Sequence, residues 1–237
     1  MFRNRATQKE LLDSDNLPEA DLVRNLQELG TINKLLGGHA VTISALNKIF
    51  TKELLETNPK RIWRIADVGS GGGDTLRAIS AWASRRRIAV HLIGIDQNPV
   101  MINYAKGKSE RYIDISFRQA DVFSDEFTRH SYDVITCNLF CHHFTNTQLT
   151  KLLPLLLRQS SQAVILNDID RHPLAYYSIK ALTALFSRSY LVKHDAPLSV
   201  LRAFKKTELQ QLFQQAGIRK YQLHWKWAFR WQAIIRP

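Results

Sequence analysis

The stretch IADVGSGGGD, residues 65–74, decides the fold prediction because it joins an apolar strand to a glycine-rich loop. Gly69, Gly71 and Gly73 alternate directly after the strand and directly before TLRAISAWA, a helical sequence. Glycine suits such a loop because the backbone must turn sharply and approach a ligand without an intervening Cβ atom. The stretch therefore predicts a strand, loop and helix in which backbone N–H groups face a bound molecule.

Acidic residues in and after this loop restrict the kind of molecule that it binds. A dinucleotide fingerprint would require glycine in place of Asp74 and would set a pyrophosphate beside that carboxylate. Asp67 and Asp74 favour a cationic or neutral ligand instead, and S-adenosyl-L-methionine (SAM) carries an ammonium and a sulfonium but no phosphate. Asp96 is placed to accept hydrogen bonds from ribose hydroxyls, and Asp121 is placed to accept one from an adenine amino group.

Short β-rich runs alternate with helical sequences from residue 61 onward. The β-rich runs are RIWRIADVG, AVHLIGID, ISFRQAD, SYDVITCN and AVILND. This alternation predicts βαβ units and a parallel sheet that is covered by helices on both faces. KYQLHWKW and FRWQAIIR, separated by a very short connection near Ala228, predict a final antiparallel hairpin, although the connection lacks the Asn-Gly sequence that tight hairpins prefer.

The first sixty residues are predicted to be helical. Leucines at near-helical spacing indicate a helix between Pro18 and Gly37, and an apolar stripe that follows Thr42, a candidate N-cap, indicates a second helix that ends at Asn58. We therefore predict a helical lid or substrate-binding segment at residues 1–60 and an α/β domain at residues 61–237.

The composition predicts an ordinary globular protein of the cytoplasm. Hydrophobic residues make up 45% of the 237 residues and charged residues 23%. No stretch approaches the roughly 20 apolar residues of a membrane span, and nothing resembles a secretory leader. The two cysteines, four positions apart, are expected to be free thiols in a reducing compartment.

The net charge of +12 raises the question of a nucleic-acid partner. The basic residues are spread along the chain, with no long basic run and no interleaved array of aromatic residues. The charge therefore favours a solvated surface or an anionic small substrate over nucleic acid.

The chain resembles the class I SAM-dependent methyltransferases in four motifs that run in family order over residues 61–237. The motifs are D-x-G-x-G-x-G at residues 67–73, the acids Asp96 and Asp121, and YDVITCN at residues 132–138. The resemblance implies a Rossmann-like three-layer α/β/α sandwich, with a seven-stranded, mostly parallel sheet whose last strand is antiparallel. It also implies that residues 61–237 are a SAM-binding methyltransferase domain.

The charge argument and the resemblance together predict the cofactor contacts. The glycine loop would face the methionine and ribose portions of SAM, the acids would hold the ribose and adenine, and Asn138 would face the transferable methyl group. The predicted contacts are Asp67, Gly69, Ser70, Gly71, Gly73, Asp96, Gln97, Asp121, Val122 and Asn138.

Four other stretches carry a narrower resemblance to small-molecule methyltransferases of the quinone-pathway and polyketide-tailoring kind. The stretches are NLQELGTINKLLGGH, NLFCHHF, NDIDRHPLAYY and HDAPLSVLRAF. They imply methyl transfer to an oxygen or carbon of a small aromatic, quinone-like or polyketide-like acceptor, by an enzyme that acts alone or as a homodimer. An RNA methyltransferase and a SAM-binding regulatory protein without turnover remain alternatives.

The sequence CNLFCHHF, residues 137–144, supplies the candidate bases. His142 and His143 follow a strand whose end should border the methyl group, and either imidazole could remove a proton from the acceptor. We favour His143, because Phe144 beside it could form a pocket wall. A zinc site with Cys137 and Cys141 is disfavoured, since Cys137 lies in a buried strand and adjacent histidines point apart, so we predict no metal.

The remaining candidates would contact the acceptor. Arg171 could clamp a carboxylate or phenolate, unless it pairs with Asp168 to fix the loop. The predicted substrate contacts are His39, Arg171, His172 and Tyr176.

Overall fold

A seven-stranded sheet forms the middle layer of the computed structural model, which describes residues 2–14 and 17–237. The strands are β1 (Trp63–Val68), β2 (Val90–Asp96), β3 (Ile115–Gln119), β4 (Tyr132–Asn138), β5 (Ser160–Ile169), β6 (Tyr221–Lys226) and β7 (Arg230–Ile235). In space they follow the order β3-β2-β1-β4-β5-β7-β6. Strands β1 to β5 are parallel, and β7 is antiparallel to both of its neighbours. The predicted fold class is confirmed.

Helices cover both faces of this sheet. They are α1 (Glu19–Leu35), α2 (Gly38–Ile49), α3 (Lys52–Glu56), α4 (Asp74–Arg86), α5 (Pro99–Lys108), α6 (Asp125–Thr128), α7 (Asn146–Gln159), α8 (Pro173–Phe186), α9 (Tyr190–Arg202) and α10 (Lys206–Gln215). One face packs against α7 and α10 and the other against α2 and α4, each through an apolar core. In the described ranges, none of these helices combines the length and the apolar character that a membrane crossing requires.

A crevice opens where the winding direction of the sheet reverses. Strand β1 pairs with β2 on one side and with β4 on the other. The helix that follows β1 and the helix that follows β4 consequently pack on opposite faces. Open parallel sheets bind ligands outside the carboxyl ends of their strands at this point.

The helices before the sheet begin and end where glycine or a cap permits. The predicted first helix is confirmed as α1, which starts after Pro18. The predicted start of the second helix at Thr42 is wrong, because Gly37 adopts a left-handed φ of 70° that reverses the chain and starts α2 at once. Thr42 lies inside α2, and its hydroxyl donates to Asn138. The predicted end at Asn58 is wrong, because α2 ends at Ile49 and a separate short helix, α3, follows after the N-cap Thr51. The division at residue 60 stays a prediction.

The predicted hairpin is confirmed as the β6–β7 pair. Trp225 pairs with Trp231 and Lys226 with Arg230. In place of the Asn-Gly turn that the sequence lacks, Phe229 adopts a left-handed φ of 52° before β7 begins.

Three aromatic rings join α2 to the sheet and to α4. The ring of Phe50, at the end of α2, is fully buried and lies edge-on to Trp63 of β1, with centroids 5.1 Å apart. It also lies edge-on to Trp82 of α4, with centroids 5.5 Å apart. Aromatic pairs in this geometry stabilise a core beyond the area that they bury.

We expect Phe50→Ala to lower the free energy of unfolding by roughly 3–5 kcal/mol, because it removes both ring contacts and leaves a cavity. Urea unfolding of the wild type and the variant measures the change. Phe186→Ala is the matched control, since that ring is 77% exposed, and it should change the value by less than about 0.5 kcal/mol. Equal effects of the two substitutions would contradict the packing described for Phe50.

Candidate active site

A cavity of about 1650 Å³ lies at the carboxyl ends of the parallel strands. The glycine loop, the ends of β2 and β4, and the helices α1, α8 and α9 line it. Ligand pockets usually measure roughly 300–1,000 Å³, so this cavity has room for two molecules side by side.

The glycine loop forms one wall of the cavity in the predicted manner. Gly69 and Gly71 adopt left-handed φ values of 71° and 48°. A Cβ atom on Gly69 would lie 2.1 Å from the ring of Phe140, so that no larger residue fits there. The N–H of Gly71 donates to Asp96 Oδ2 over 2.9 Å, which ties the loop to the end of β2.

Polar atoms in this wall fit a nucleoside-sized ligand. The hydroxyl of Ser70 is buried and finds no hydrogen-bond partner among residues 2–14 and 17–237, although the residue lines the cavity. Burial raises the pKa of Asp96, whose Oδ1 accepts from the N–H of Asn98. A carboxylate and a hydroxyl at the same wall are the partners that a ribose requires.

The predicted cofactor residues converge at this cavity with one exception. Those that line it are Asp67, Gly69, Ser70, Gly71, Asp96, Gln97, Asp121, Val122 and Asn138. Gly73 lies outside the lining. It is the N-cap of α4, where it adopts a left-handed φ of 71°. Their contacts with a cofactor stay predictions.

Asp67 is the most deeply buried carboxylate of the loop. Its Oδ1 accepts hydrogen bonds from the Thr136 hydroxyl and the Asn138 amide, both over 2.7 Å. Burial raises the pKa of Asp67 to about 7, although both hydrogen bonds oppose that shift. The carboxyl therefore positions Asn138, which faces the cavity at the end of β4.

Asp168 orients one of the two candidate bases. His142 is 3% exposed, and its Nδ1 lies 2.7 Å from Asp168 Oδ1, while its backbone N–H donates to Asp168 Oδ2. Because Nδ1 faces a carboxylate, it keeps its proton in either state of the ring, and Nε2 is the nitrogen that gains or loses one. Burial would raise the pKa of Asp168, but the charge and hydrogen bond of His142 outweigh it and hold that pKa below its usual value.

The second candidate base lies among acidic groups from the N-terminal segment. His143 Nδ1 is 3.1 Å from Asp13 Oδ1, and its Nε2 is 3.9 Å from Glu10 Oε2. Burial lowers the pKa of His143, but Asp13 and Glu10 outweigh it and raise that pKa above its usual value. His143 is therefore suited to carry charge, whereas His142 has the arrangement of an oriented base.

Residues 2–14 belong to the predicted lid segment, but the sequence did not indicate which of them would line the cavity, and the prediction that they are helical is wrong for residues 2–10. Arg5 donates to the carbonyl oxygens of His142 and Phe144, and the N–H of Leu11 donates to Asp195 of α9. These contacts bring Glu10 to a position where its Oε1 lies 3.6 Å from His142 Nε2. The segment has no helical or strand periodicity of apolar residues, because single polar contacts hold it in place instead of a buried apolar face.

Glu10, His142 and His143 place three ligand atoms within 4.8 Å of one another, a spacing that could hold a metal ion. A guanidinium already supplies positive charge there, since Arg202 Nε lies 3.8 Å from Glu10 Oε1. A second cation would be repelled by it. We therefore derive no chemistry from a metal.

The cysteines of the disfavoured zinc site belong to the apolar core. Cys137 and Cys141 are both buried among the side chains of α7 and α10. The hydrogen bond with Cys141, together with burial, raises the pKa of the Cys137 thiol. A thiol in these surroundings behaves as a small hydrophobic group.

The structure places all four predicted substrate residues outside the cavity lining. Arg171 is fully buried, and its guanidinium pairs with Glu208, with two nitrogen–oxygen distances of 2.5 and 2.9 Å. The expected pairing of Arg171 with Asp168 is wrong, because the Asp168 carboxylate bonds to His142 and the backbone.

The other three residues have structural partners. His39 Nε2 lies 2.6 Å from Asp74 Oδ2. His172 caps α8 by accepting from the N–H of Leu174, and Tyr176 packs edge-on against Phe2. The substrate roles of His39, Arg171, His172 and Tyr176 lack support from this geometry.

Apolar side chains of three helices form a second wall of the cavity, which meets the glycine loop at Leu26. Their spacing on α8, three and four positions apart, is that of one helix face. They include Leu26 and Leu29 of α1, Ala175, Ile179 and Leu182 of α8, and Val200 of α9. This half of the cavity suits a largely apolar molecule.

Comparison with known proteins agrees with these observations. Residues 65–163 match the family model described as a methyltransferase domain. Over 87 residues the chain is 30% identical to the uncharacterized methyltransferase YcgJ of Bacillus subtilis (strain 168). That match covers 36% of this chain and spans about a third, 32%, of that protein.

Solved structures share the fold at lower identity. The plantazolicin methyltransferase BpumL in complex with SAH superposes with a TM-score of 0.61 at 19% identity, over 92% of this chain and 96% of that one. The CurJ carbon methyltransferase superposes with a TM-score of 0.63 at 16% identity, over 92% of this chain and 61% of that one. These likenesses show the fold.

Asp67 should make stability depend on pH. Since the carboxyl titrates at about 7 when folded and near 3.9 when unfolded, the folded state binds more protons between these values. The free energy of unfolding should therefore fall as pH rises through that window. Asp67→Asn should remove this fall, so that the wild type loses stability relative to the variant between about pH 5 and about pH 8.

Urea unfolding at both pH values measures this difference. Phe50→Ala, which removes no titratable group, is the control and should destabilise the protein equally at both. A difference between the wild type and Asp67→Asn that does not change with pH would contradict the raised pKa.

Proposed function

We propose that this chain, which carries a methyltransferase domain at residues 65–163 and has the class I fold, transfers a methyl group from SAM to a small acceptor. The acceptor is an aromatic, quinone-like or polyketide-like molecule that is methylated at oxygen or carbon. The observation that carries the proposal is that the glycine loop and the oriented His142–Asp168 pair open into one cavity.

The residues of the glycine-loop wall fit the cofactor. When bound, SAM supplies a methyl group on a sulfonium, which is activated for in-line displacement. The Asp96 carboxylate would hold the ribose, and the free hydroxyl of Ser70 would gain a partner. Asp121 and Val122 would border the adenine, and Asn138, held by Asp67, would lie beside the methyl group.

His142 is the proposed general base. Its Nε2 takes the proton from the acceptor's hydroxyl or acidic carbon while Asp168 holds Nδ1 and stabilises the imidazolium. The single hydrogen of an acceptor hydroxyl would be donated to His142 Nε2, and Glu10 Oε1, 3.6 Å from that nitrogen, would stabilise the imidazolium that forms. His143, favoured on the sequence alone, becomes the second candidate, because Asp13 and Glu10 raise its pKa and favour its charged form, which cannot accept a proton.

The acceptor class follows from the shape and chemistry of the second wall. The apolar side chains of α1, α8 and α9 would contact a hydrophobic body, while the histidines and Glu10 would contact its reacting oxygen. The N-terminal segment supports water exclusion, because it lies against the histidines through the contacts of Arg5 and Glu10.

Two measurements test the proposed function. Calorimetry should detect one SAM bound per chain, and mass spectrometry should detect transfer of the label from methyl-labelled SAM to a phenol, hydroquinone or β-dicarbonyl compound in a panel. Absence of SAM binding would overturn the proposal. Binding without a methylated product from any panel member would favour a SAM-binding regulatory protein instead.

His142→Gln should lower turnover of the identified acceptor by roughly 10²- to 10⁴-fold, because the proton loses its acceptor. Asp168→Asn should act in the same direction, since it disturbs the tautomer of His142. The dissociation constant of SAM should stay within twofold of the wild-type value in both variants.

His91, an exposed histidine on β2, supplies the control. The His91→Gln variant should turn over the acceptor at the wild-type rate. A larger loss in His143→Gln than in His142→Gln would assign the base to His143.

A further inference from the structure

Arg230 is a buried guanidinium that forms no salt bridge in the ranges 2–14 and 17–237. Three arginines of the described ranges are less than one tenth exposed, namely Arg171, Arg202 and Arg230. Arg171 pairs with Glu208, and Arg202 lies 3.8 Å from Glu10 and 3.5 Å from Asp13. Within residues 2–14 and 17–237, the side-chain acceptors that Arg230 reaches are neutral amide oxygens, and the carboxylates of Asp168 and Asp74 act on it only from beyond salt-bridge distance.

The guanidinium of Arg230 has a definite position with unused donors. Its Nη2 donates to Asn33 Oδ1 over 3.0 Å, and its Nη1 lies 3.5 Å from Asn167 Oδ1. Its Nε is buried and finds no acceptor in the part of the chain that the structure describes. A buried guanidinium without a carboxylate in contact is unfavourable, so this position is suited to an anion that enters the cavity and pairs with it.

Gly38 makes room for this arrangement. A Cβ atom at that position would lie 1.7 Å from Asn33 Oδ1 and 2.9 Å from Arg230 Nη2. Any larger residue at the start of α2 would therefore displace the asparagine from the guanidinium. Three elements, α1, α2 and β7, thus converge on one charged group.

This charged group lies at the wall of the active-site cavity, beside the predicted cofactor residues. Arg230 lines the cavity. Its partner Asn33 also donates to Asp74 Oδ2 over 3.1 Å, and its partner Asn167 donates to Asn138 Oδ1 over 3.1 Å. Acidic and basic groups in adjacent positions match a zwitterion, whose ammonium would face the aspartates and whose carboxylate would face Arg230.

We propose that Arg230 binds a carboxylate within the cavity. The carboxylate comes from the amino-acid end of the cofactor or from an anionic acceptor, and both present two oxygens to a planar guanidinium. This inference rests on the proposed function for the first source only. Burial lowers the pKa of Arg230 to about 10, which leaves the group charged at neutral pH.

The first arm of the test compares S-adenosylhomocysteine with its decarboxylated analogue by calorimetry. If the cofactor is the source, the wild type binds S-adenosylhomocysteine at least tenfold more tightly than the analogue, and Arg230→Gln loses that preference. Arg230→Lys, which keeps the charge, retains part of it.

The second arm compares benzoate and salicylate with the neutral benzamide and salicylamide, in the presence and absence of S-adenosylhomocysteine. If an acceptor is the source, Arg230→Gln weakens the two anions at least tenfold and leaves the two amides unchanged.

Arg171→Gln is the matched control, because Arg171 is also buried but lies outside the cavity lining and already has a carboxylate partner in Glu208. It should lower the melting temperature without changing either ratio. The inference is overturned if Arg230→Gln and Arg230→Lys keep the wild-type preference for the carboxylate ligand in both arms. It is also overturned if the wild type prefers the carboxylate ligand in neither arm. If the wild type does not bind S-adenosylhomocysteine, the proposed function is overturned instead. The second arm, run without that ligand, then tests by itself whether Arg230 binds a carboxylate.

Discussion

A line of side-chain hydrogen bonds across the carboxyl ends of β1, β4 and β5 underlies the whole site. Asp67 accepts from Asn138, Asn138 accepts from Asn167, and Asn167 also donates to the carbonyl oxygen of Gly38 in α2. The line joins the three central strands to the N-terminal helices at the floor of the cavity. Because Asp67 and Asn167 are buried, leaving either one unpaired would cost about 1–3 kcal/mol, so the strand ends and α2 are positioned together.

The sheet was predictable because its signals are local. Alternation of β-rich and helical runs, and the glycines of residues 69–73, depend on neighbours within a few positions. The start of α2 was misplaced because Thr42 has the chemistry of an N-cap, and only the left-handed conformation of Gly37 shows that the helix starts earlier. The hairpin was predicted from two β-rich runs with a short connection, although the connection has an unfavourable sequence. The turn forms because Phe229 adopts the left-handed conformation.

The site was only partly predictable, because its chemistry depends on pairs from distant parts of the chain. The glycine-loop residues could be found since one motif contains them. The partner of His142 could not be found, since nothing local distinguishes an Asp168 that pairs with Arg171 from one that pairs with a histidine in the turn after β4. Glu10 could not be found either, because it lies in a segment without periodicity. On α8 the sequence favoured the aromatic Tyr176 as a substrate contact, but Tyr176 packs against Phe2 and Ile179 faces the cavity.

Helix α8 has apolar residues on both its cavity side and its outer side. Ala175, Ile179 and Leu182 line the cavity, while the outer residues Leu174, Tyr177, Leu185 and Phe186 are exposed. Burial therefore gives this helix little preference for one rotation about its axis over another. Its orientation is set at its ends, by the cap of His172 and by the bond from Ser187 to Glu28 of α1. Small changes at these two ends would reshape the cavity wall without altering a residue in it, which offers a route to altered acceptor range by directed evolution.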